Sequence, residues 1–184
     1  MFNNICADIK RFQRQDERNS ISLIWCYTEL KTLLTYRLGR WIRNAVKNPF
    51  CWPMVFILSP VYWLLTVYLR FACDVILEQS AEIGSGLFIG HFGGIRLRNC
   101  RVGSHCSIQQ EVHLVPLIGN AEGPTIGNRV WIGAHARILG SVQVGDGATI
   151  GAGALVTQDV NAGCLVLGNP GRVMQNDYDN CTLL

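Results

Sequence analysis

The sequence predicts a mainly β chain: a parallel β-helix of hexapeptide repeats, a prism-shaped solenoid, preceded by an α-helical region. Three observations predict it. Ile126, Ile132, Ile138, Val144, Ile150 and Val156 recur every six residues, a beat that suits neither the 3.6-residue turn of a helix nor simple strand alternation. The same step runs through Ile83, Ile89 and Ile95 and again through Val102, Ile108 and Leu114. Before Asp74 the pattern is different, with apolar residues spaced by three and four. In a hexapeptide solenoid each hexad forms one face, the aliphatic residue fills the prism, and the small residue after it lets the backbone turn the corner. Three hexads close a coil, so Ile126 is expected to stack under Val144 and Ile132 under Ile150.

Composition bounds the rest. The 184 residues can bury one good core plus a small accessory element. A net charge of +3 without a run of like charges does not suggest nucleic acid. The first 48 residues carry nine basic and four acidic side chains, an end suited to face acidic lipid or a polyanion. The eight cysteines contain no CxxC spacing, and Cys6, Cys26, Cys51 and Cys73 lie in apolar helical stretches as small hydrophobes. The polar run from Met1 to Arg18 is no cleavable signal peptide, so a reducing, cytoplasmic setting is expected.

Taken in order, residues 5–18 read as a short polar helix and Ser20 begins a longer one. Leu23, Tyr27, Leu30, Leu34, Leu38 and Trp41 mark its apolar side, and Arg37, Arg40, Arg43 and Lys47 form a basic flank, read either as a solvated face or as one turned to lipid or substrate. Phe50–Leu69 holds no charge over a length that suits a membrane span. Pro53 and Pro60 interrupt it, its aromatics are scattered, and the basic flank precedes it. A helix buried in an oligomer or a patch on the membrane surface fits better. The helical region thus covers 1–73, the β-helix 74–173 and a tail 174–184. Within the β-helix, one extra residue in RLRNCR reads as a corner bulge, and residues 115–125, rich in Pro, Gly and Asn, read as an extruded loop. Beyond Val156 the beat fades through Ala162 and Gly168, and LGNPGRVM closes the coil.

An interior filled with Ile and Val leaves chemistry only on the outside, in grooves between neighbouring prisms. His91, His105, His113 and His135 are the candidates for proton transfer. His91 follows Ile89 by two, just past a corner, and the glycines of GLFIGHFGG open it to a ligand. The segments ADIKRFQRQD, LKTLLTYRLGRWI, AEIGSGLFIGHFGG, IGAHARILGSVQVGDGATIGAGALV and LGNPGRV, in this order, resemble the serine acetyltransferase family and its relatives that acetylate bacterial exopolysaccharide, such as the colanic acid acetyltransferase. The resemblance implies a left-handed coil, a homotrimer, acetyl-CoA as cosubstrate and no metal. It makes His91 the general base, places Ala134, Ala152 and the adjoining Gly153 along the coenzyme A groove with Arg137 nearby, and likens Asp16 to an aspartate that helps hold serine.

The departures from that pattern are specific. The family's aspartate before the histidine is Gly90 here, and its histidine-orienting carboxylate falls at Ile76, leaving Asp74 and Glu78 as substitutes. Its Arg-His-Pro at the loop end reads Glu122-Gly123-Pro124, so groups expected to grip serine are missing; His113 is the candidate replacement for the second histidine, or else a surface residue. The expectation is therefore direct, His91-assisted transfer of acetyl to a sugar hydroxyl of a cell-surface or exopolysaccharide or its lipid-linked precursor, by a protein peripheral to the cytoplasmic face of the membrane. Serine O-acetylation is the alternative. A γ-type carbonic anhydrase and a silent hexapeptide scaffold are rivals from other classes.

Overall fold

A computed structural model describes residues 2–13, 27–91, 93–117 and 122–184. Helices α1 (Phe2–Gln13), α2 (Thr28–Ala45) and α3 (Trp52–Cys73) precede the solenoid, with a short 3₁₀ turn at Pro49–Cys51. The first helix thus begins three residues before the expected start at residue 5. Its expected stretch to residue 18 and the start of the second helix at Ser20 lie outside the described residues.

Three parallel sheets form the prism. Face 1 stacks β1 (Val75–Leu77), β4 (Ile95–Leu97), β7 (His113–Val115), β10 (Arg137–Leu139) and β13 (Leu155–Val156). Face 2 stacks β2 (Glu82–Ile83), β5 (Arg101–Val102), β8 (Thr125–Ile126) and β11 (Gln143–Val144). Face 3 stacks β3 (Phe88–Ile89), β6 (Ser107–Ile108), β9 (Trp131–Ile132), β12 (Thr149–Ile150) and β14 (Leu165–Leu167), closed by the antiparallel β15 (Arg172–Gln175). Ile126 pairs with Val144 and Ile132 with Ile150, the stacking the six-residue beat predicts. The inward column is fully buried at Ile108, Leu114, Ile132, Ile138 and Ile150, a core as continuous as the solenoid is long.

The corners work differently from the sequence expectation. The chain turns at the third residue after the aliphatic one, where the backbone is left-handed: Glu111 and His135 at the edge between faces 3 and 1, His105 and Arg129 at the edge between faces 2 and 3. The glycine directly after the aliphatic residue serves coil stacking instead. A Cβ on Gly133 would lie 2.6 Å from the Ala152 backbone nitrogen of the next coil, closer than coils can tolerate.

Two irregularities also move. Leu97, not Ile95, stacks on Leu114, because Ile95 pairs with Val75 below and Arg96 with His113 above. Eight residues therefore separate Ile89 from Leu97, where six separate the stacked pair Ile108 and Leu114. The extra length sits in the His91 corner, and the stretch containing RLRNCR is one residue short, so it is no bulge. After Val156 the inward positions are Val160, Cys164 and Val166 instead of Ala162 and Gly168. Here Asp159 Oδ1 accepts the Gln143 N–H at 2.8 Å and shortens the corner. The 115–125 segment leaves from the corner between faces 1 and 2, since β7 and β8 continue their own ladders on either side of it.

A solenoid's first coil has nothing beneath it to pair its free carbonyls, and open strand edges must be covered. Helix α2 supplies that cap. Tyr36 Oη donates to Ala81 O at 2.6 Å, Arg43 Nη1 to Gln79 O at 2.8 Å, and Arg37 Nη1 to Ile83 O at 2.6 Å. Arg37 also donates to Gly84 O and pairs with the buried Asp8 of α1 at 3.1 Å. Asp8 Oδ1 in turn accepts the Gly86 N–H at 2.7 Å and the Leu87 N–H at 3.2 Å. The basic flank predicted for this helix is thus in part neither solvated nor turned to lipid: Arg37 is buried, and the apolar side that packs is Leu30, Leu33 and Tyr36. At the other end the tail is tied down by Asn180, whose Nδ2 donates to the carbonyls of Arg129 and Gly147 at 3.0 Å each.

Candidate active site

The edge between faces 3 and 1 gathers most of the sequence-predicted site. Stacked hydrogen bonds align its corners: Glu111 N–H donates to Gly93 O, His135 N–H to Gln110 O and Gly153 N–H to Ala134 O. Gly93, Gln110, Ala134 and Ala152 accordingly form one column, and Gly94, Glu111, His135 and Gly153 form the next. His91 stands at the lower end of this edge, exposed, in the corner that is longer than the others. Ala134, Ala152 and Gly153 continue the edge upward with small or absent side chains, leaving backbone that a long ligand can approach closely.

Beside the edge, the outward positions of face 1 form a polar column. Arg96, His113 and Arg137 lie in adjacent strands in direct register. Burial and then the positive charges of Arg137 and Arg96 lower the His113 imidazole from its usual value, while the Gly94 carbonyl and Glu111 favour its charged form more weakly. A neutral imidazole between two guanidinium groups can accept a proton or a hydrogen bond, and the column attracts anions.

Of the substitute carboxylates, Asp74 stays at this edge. It is exposed, has a left-handed backbone at the end of α3, and precedes Val75, which lies directly below Ile95. Glu78 is at the opposite corner of face 1, where Arg98 Nε binds its Oε1 at 2.9 Å and the Ser80 hydroxyl donates to its Oε2 at 3.1 Å. Within one chain Glu78 therefore does not orient His91: Asp74 precedes and Glu78 follows β1, so the two carboxylates lie at opposite ends of one strand. Ile76 sits below Arg96 in the outward column, under Thr32, Tyr36 and Tyr62. Asp16 lies outside the described residues. Glu122 and Gly123 face Asn99 and Arg101 at the edge between faces 1 and 2, across the prism from His91. His105, on the edge between faces 2 and 3, is likewise remote from His113 within the chain.

Residues 123–158 match the model of the bacterial transferase hexapeptide, six repeats long. Serine acetyltransferase of Synechococcus elongatus is 32% identical over 180 residues, covering 95% of this chain and 69% of that protein. That of Helicobacter pylori is 31% identical over 180 residues, covering 95% of this chain and 98% of its own. The chain belongs to the serine acetyltransferase family. A solved serine acetyltransferase from Brucella abortus superposes with a TM-score of 0.79 at 25% identity, over 95% of this chain and 68% of the other. The same enzyme in complex with coenzyme A superposes at 0.78, with 24% identity over 95% and 67% of the two chains.

Family membership makes this chain an acetyltransferase and sharpens the meaning of two residues that sequence reasoning missed. Gln109 occupies the space a side chain at position 90 would need, since a Cβ on Gly90 would run into the Gln109 carboxamide. Glu111 places its carboxylate against Gly94 in the same way. Where family members carry an aspartate before the histidine, this chain supplies polar groups from the coil above. The signal was present: Ile108 stacks on Ile89, so residues one and three beyond it cover the His91 segment. It becomes readable only once the two-residue excess is assigned to that corner.

Proposed function

We propose that the chain transfers acetyl from acetyl-CoA to the hydroxyl of serine, with His91 as general base. The single observation that carries this reading is the alignment with the Helicobacter pylori serine acetyltransferase over nearly the full length of both chains. The Brucella abortus complex with coenzyme A supports the donor, and the open edge through Ala134, Ala152 and Gly153 suits an extended cosubstrate. His91 accepts the hydroxyl proton while the oxygen attacks the thioester carbonyl carbon. Collapse of the tetrahedral intermediate breaks the carbon–sulfur bond, and the proton passes from the imidazolium to the departing thiolate. Backbone N–H groups along the edge are the candidates for stabilising the oxyanion. Arg96 and Arg137, beside His113, can meet a carboxylate in place of the missing loop arginine.

The second reading, transfer to a sugar hydroxyl of a surface polysaccharide or its lipid-linked precursor, is favoured by Gly90, Glu122 and Gly123. In these places two groups that the family resemblance expects to grip serine are missing, and the second histidine is gone. Under either reading we take as the active unit the homotrimer that the family resemblance implies, in which His91 of one prism and the 115–125 loop of the next can share a groove. Coenzyme A release on serine and on a panel of glycans, with His91→Ala as control, separates the readings. Turnover on serine supports the first; turnover on a glycan with none on serine replaces it with the second.

A further inference from the structure

We propose that α3 docks the molecule onto an anionic lipid surface. Only Leu69 and Cys73 are buried along its 22 residues. Trp52, Phe56, Ile57, Trp63, Tyr68 and Phe71 are exposed, Phe56 by 83% and Phe71 by 87%. Single exposed apolar side chains need no explanation, but a run of this extent along one helix does.

Charge selects the occupant. Between Glu29 and Asp74 the sequence holds no acidic residue, while Lys31, Arg37, Arg40, Arg43, Lys47 and Arg70 are basic. Of these, Arg43, Lys47 and Arg70 are exposed next to or at the ends of the apolar run. A protein interface core is apolar and depleted of lysine, and its rim is polar; here the exposed charges along the rim of the run, Arg43, Lys47 and Arg70, are all cations. Aromatic side chains on a helix with no acidic residue of its own, accompanied by Arg43, Lys47 and Arg70, suit the headgroup boundary of a bilayer containing acidic lipid.

Packing decides between lying on the bilayer and crossing it. By length and composition the helix could span, with a mean hydropathy of 1.6 over its most apolar window. Its other side is committed, however: Tyr62, Thr66 and Leu69 face α2 and β1, and Gln79 Nε2 donates to Tyr62 Oη at 3.0 Å. Crossing would drag the capped first coil, with its buried Asp8–Arg37 pair, toward hydrocarbon. Docking leaves those contacts intact, and it holds whichever hydroxyl is acetylated.

The test is sedimentation of the full-length protein with vesicles of phosphatidylcholine alone or of phosphatidylcholine mixed with phosphatidylglycerol. Pelleting with the mixed vesicles is expected. Phe56→Ser and Trp63→Ser should each weaken it about tenfold, and Lys47→Gln and Arg70→Gln about fivefold each, with melting temperatures unchanged because all four side chains are exposed. Failure to pellet with either vesicle, or pelleting indifferent to these substitutions, overturns the proposal. So does resistance to alkaline carbonate extraction, which indicates a span. If the apolar substitutions instead break up a soluble oligomer that ignores vesicles, α3 is a contact between copies of the chain.

Discussion

His91 owes its accessibility to the two residues by which its corner exceeds the corresponding corner above it. The side chain makes no hydrogen bond among the described residues, so its removal tests chemistry rather than folding. His91→Ala is expected to lower kcat about 10²- to 10⁴-fold with an unchanged unfolding midpoint, read by coenzyme A release and by circular dichroism. His113 gives a second, separable signal. Burial and the two arginines depress its folded pKa, so below the ordinary value of 6.5 the unfolded chain takes up the proton first. Stability present above that pH is lost as pH falls through the lower folded value. Thermal melts between pH 7.5 and 5 should therefore fall more steeply for the wild type than for His113→Gln; identical slopes refute the assignment. His91 was legible in the sequence because glycines flank it and a known pattern surrounds it. Gln109 and Glu111 were not, because what they cover lies eighteen or so residues away along the chain and is adjacent only after stacking.

At the scale of elements, α2 is the plug that ends the solenoid. The spacing of its apolar residues was readable, but the fate of its arginines was not, since a guanidinium on a helix face looks the same whether water or an unpaired carbonyl lies opposite it. Burial pushes the Asp8 carboxyl up from its usual value, while Arg37 and the N–H groups of Gly86 and Leu87 pull it back. Asp8→Ala leaves the Arg37 charge buried without its partner and should cost about 3–5 kcal/mol, measured by urea denaturation. Asp8→Asn should cost less, because it keeps an acceptor for the Gly86 and Leu87 N–H groups and for Arg37. The corner glycines show the same division. Their positions followed from the six-residue beat, whereas their purpose, close approach to the next coil instead of a left-handed turn, came from the contact between Gly133 and Ala152.

At the scale of the whole molecule, the prism has a site edge, a loop edge and an apolar helix whose outer side no other described element covers. Sedimentation equilibrium in non-ionic detergent, which shields α3, should give the mass of three chains. A monomer would leave the groove between His91 and the 115–125 loop unformed and would refute the trimer. The first coil, capped by α2 and carrying the lengthened His91 corner, is one place where this chain departs from a plain hexapeptide solenoid.

The amino-acid sequence by itself determined the hexapeptide solenoid, the buried column from Ile126 to Val156 and the candidate base, because these depend on a local repeat and on residue identity. Only the tertiary structure decided which edge each group occupies. It set Glu78 at the corner away from His91, brought Gln109 and Glu111 over the His91 segment, placed His113 between Arg96 and Arg137, moved the insertion into the His91 corner and spent Arg37 on the cap. The physical reason is that a solenoid makes neighbours of residues one coil apart, and a shift of one or two residues in a single corner changes every such neighbour above it.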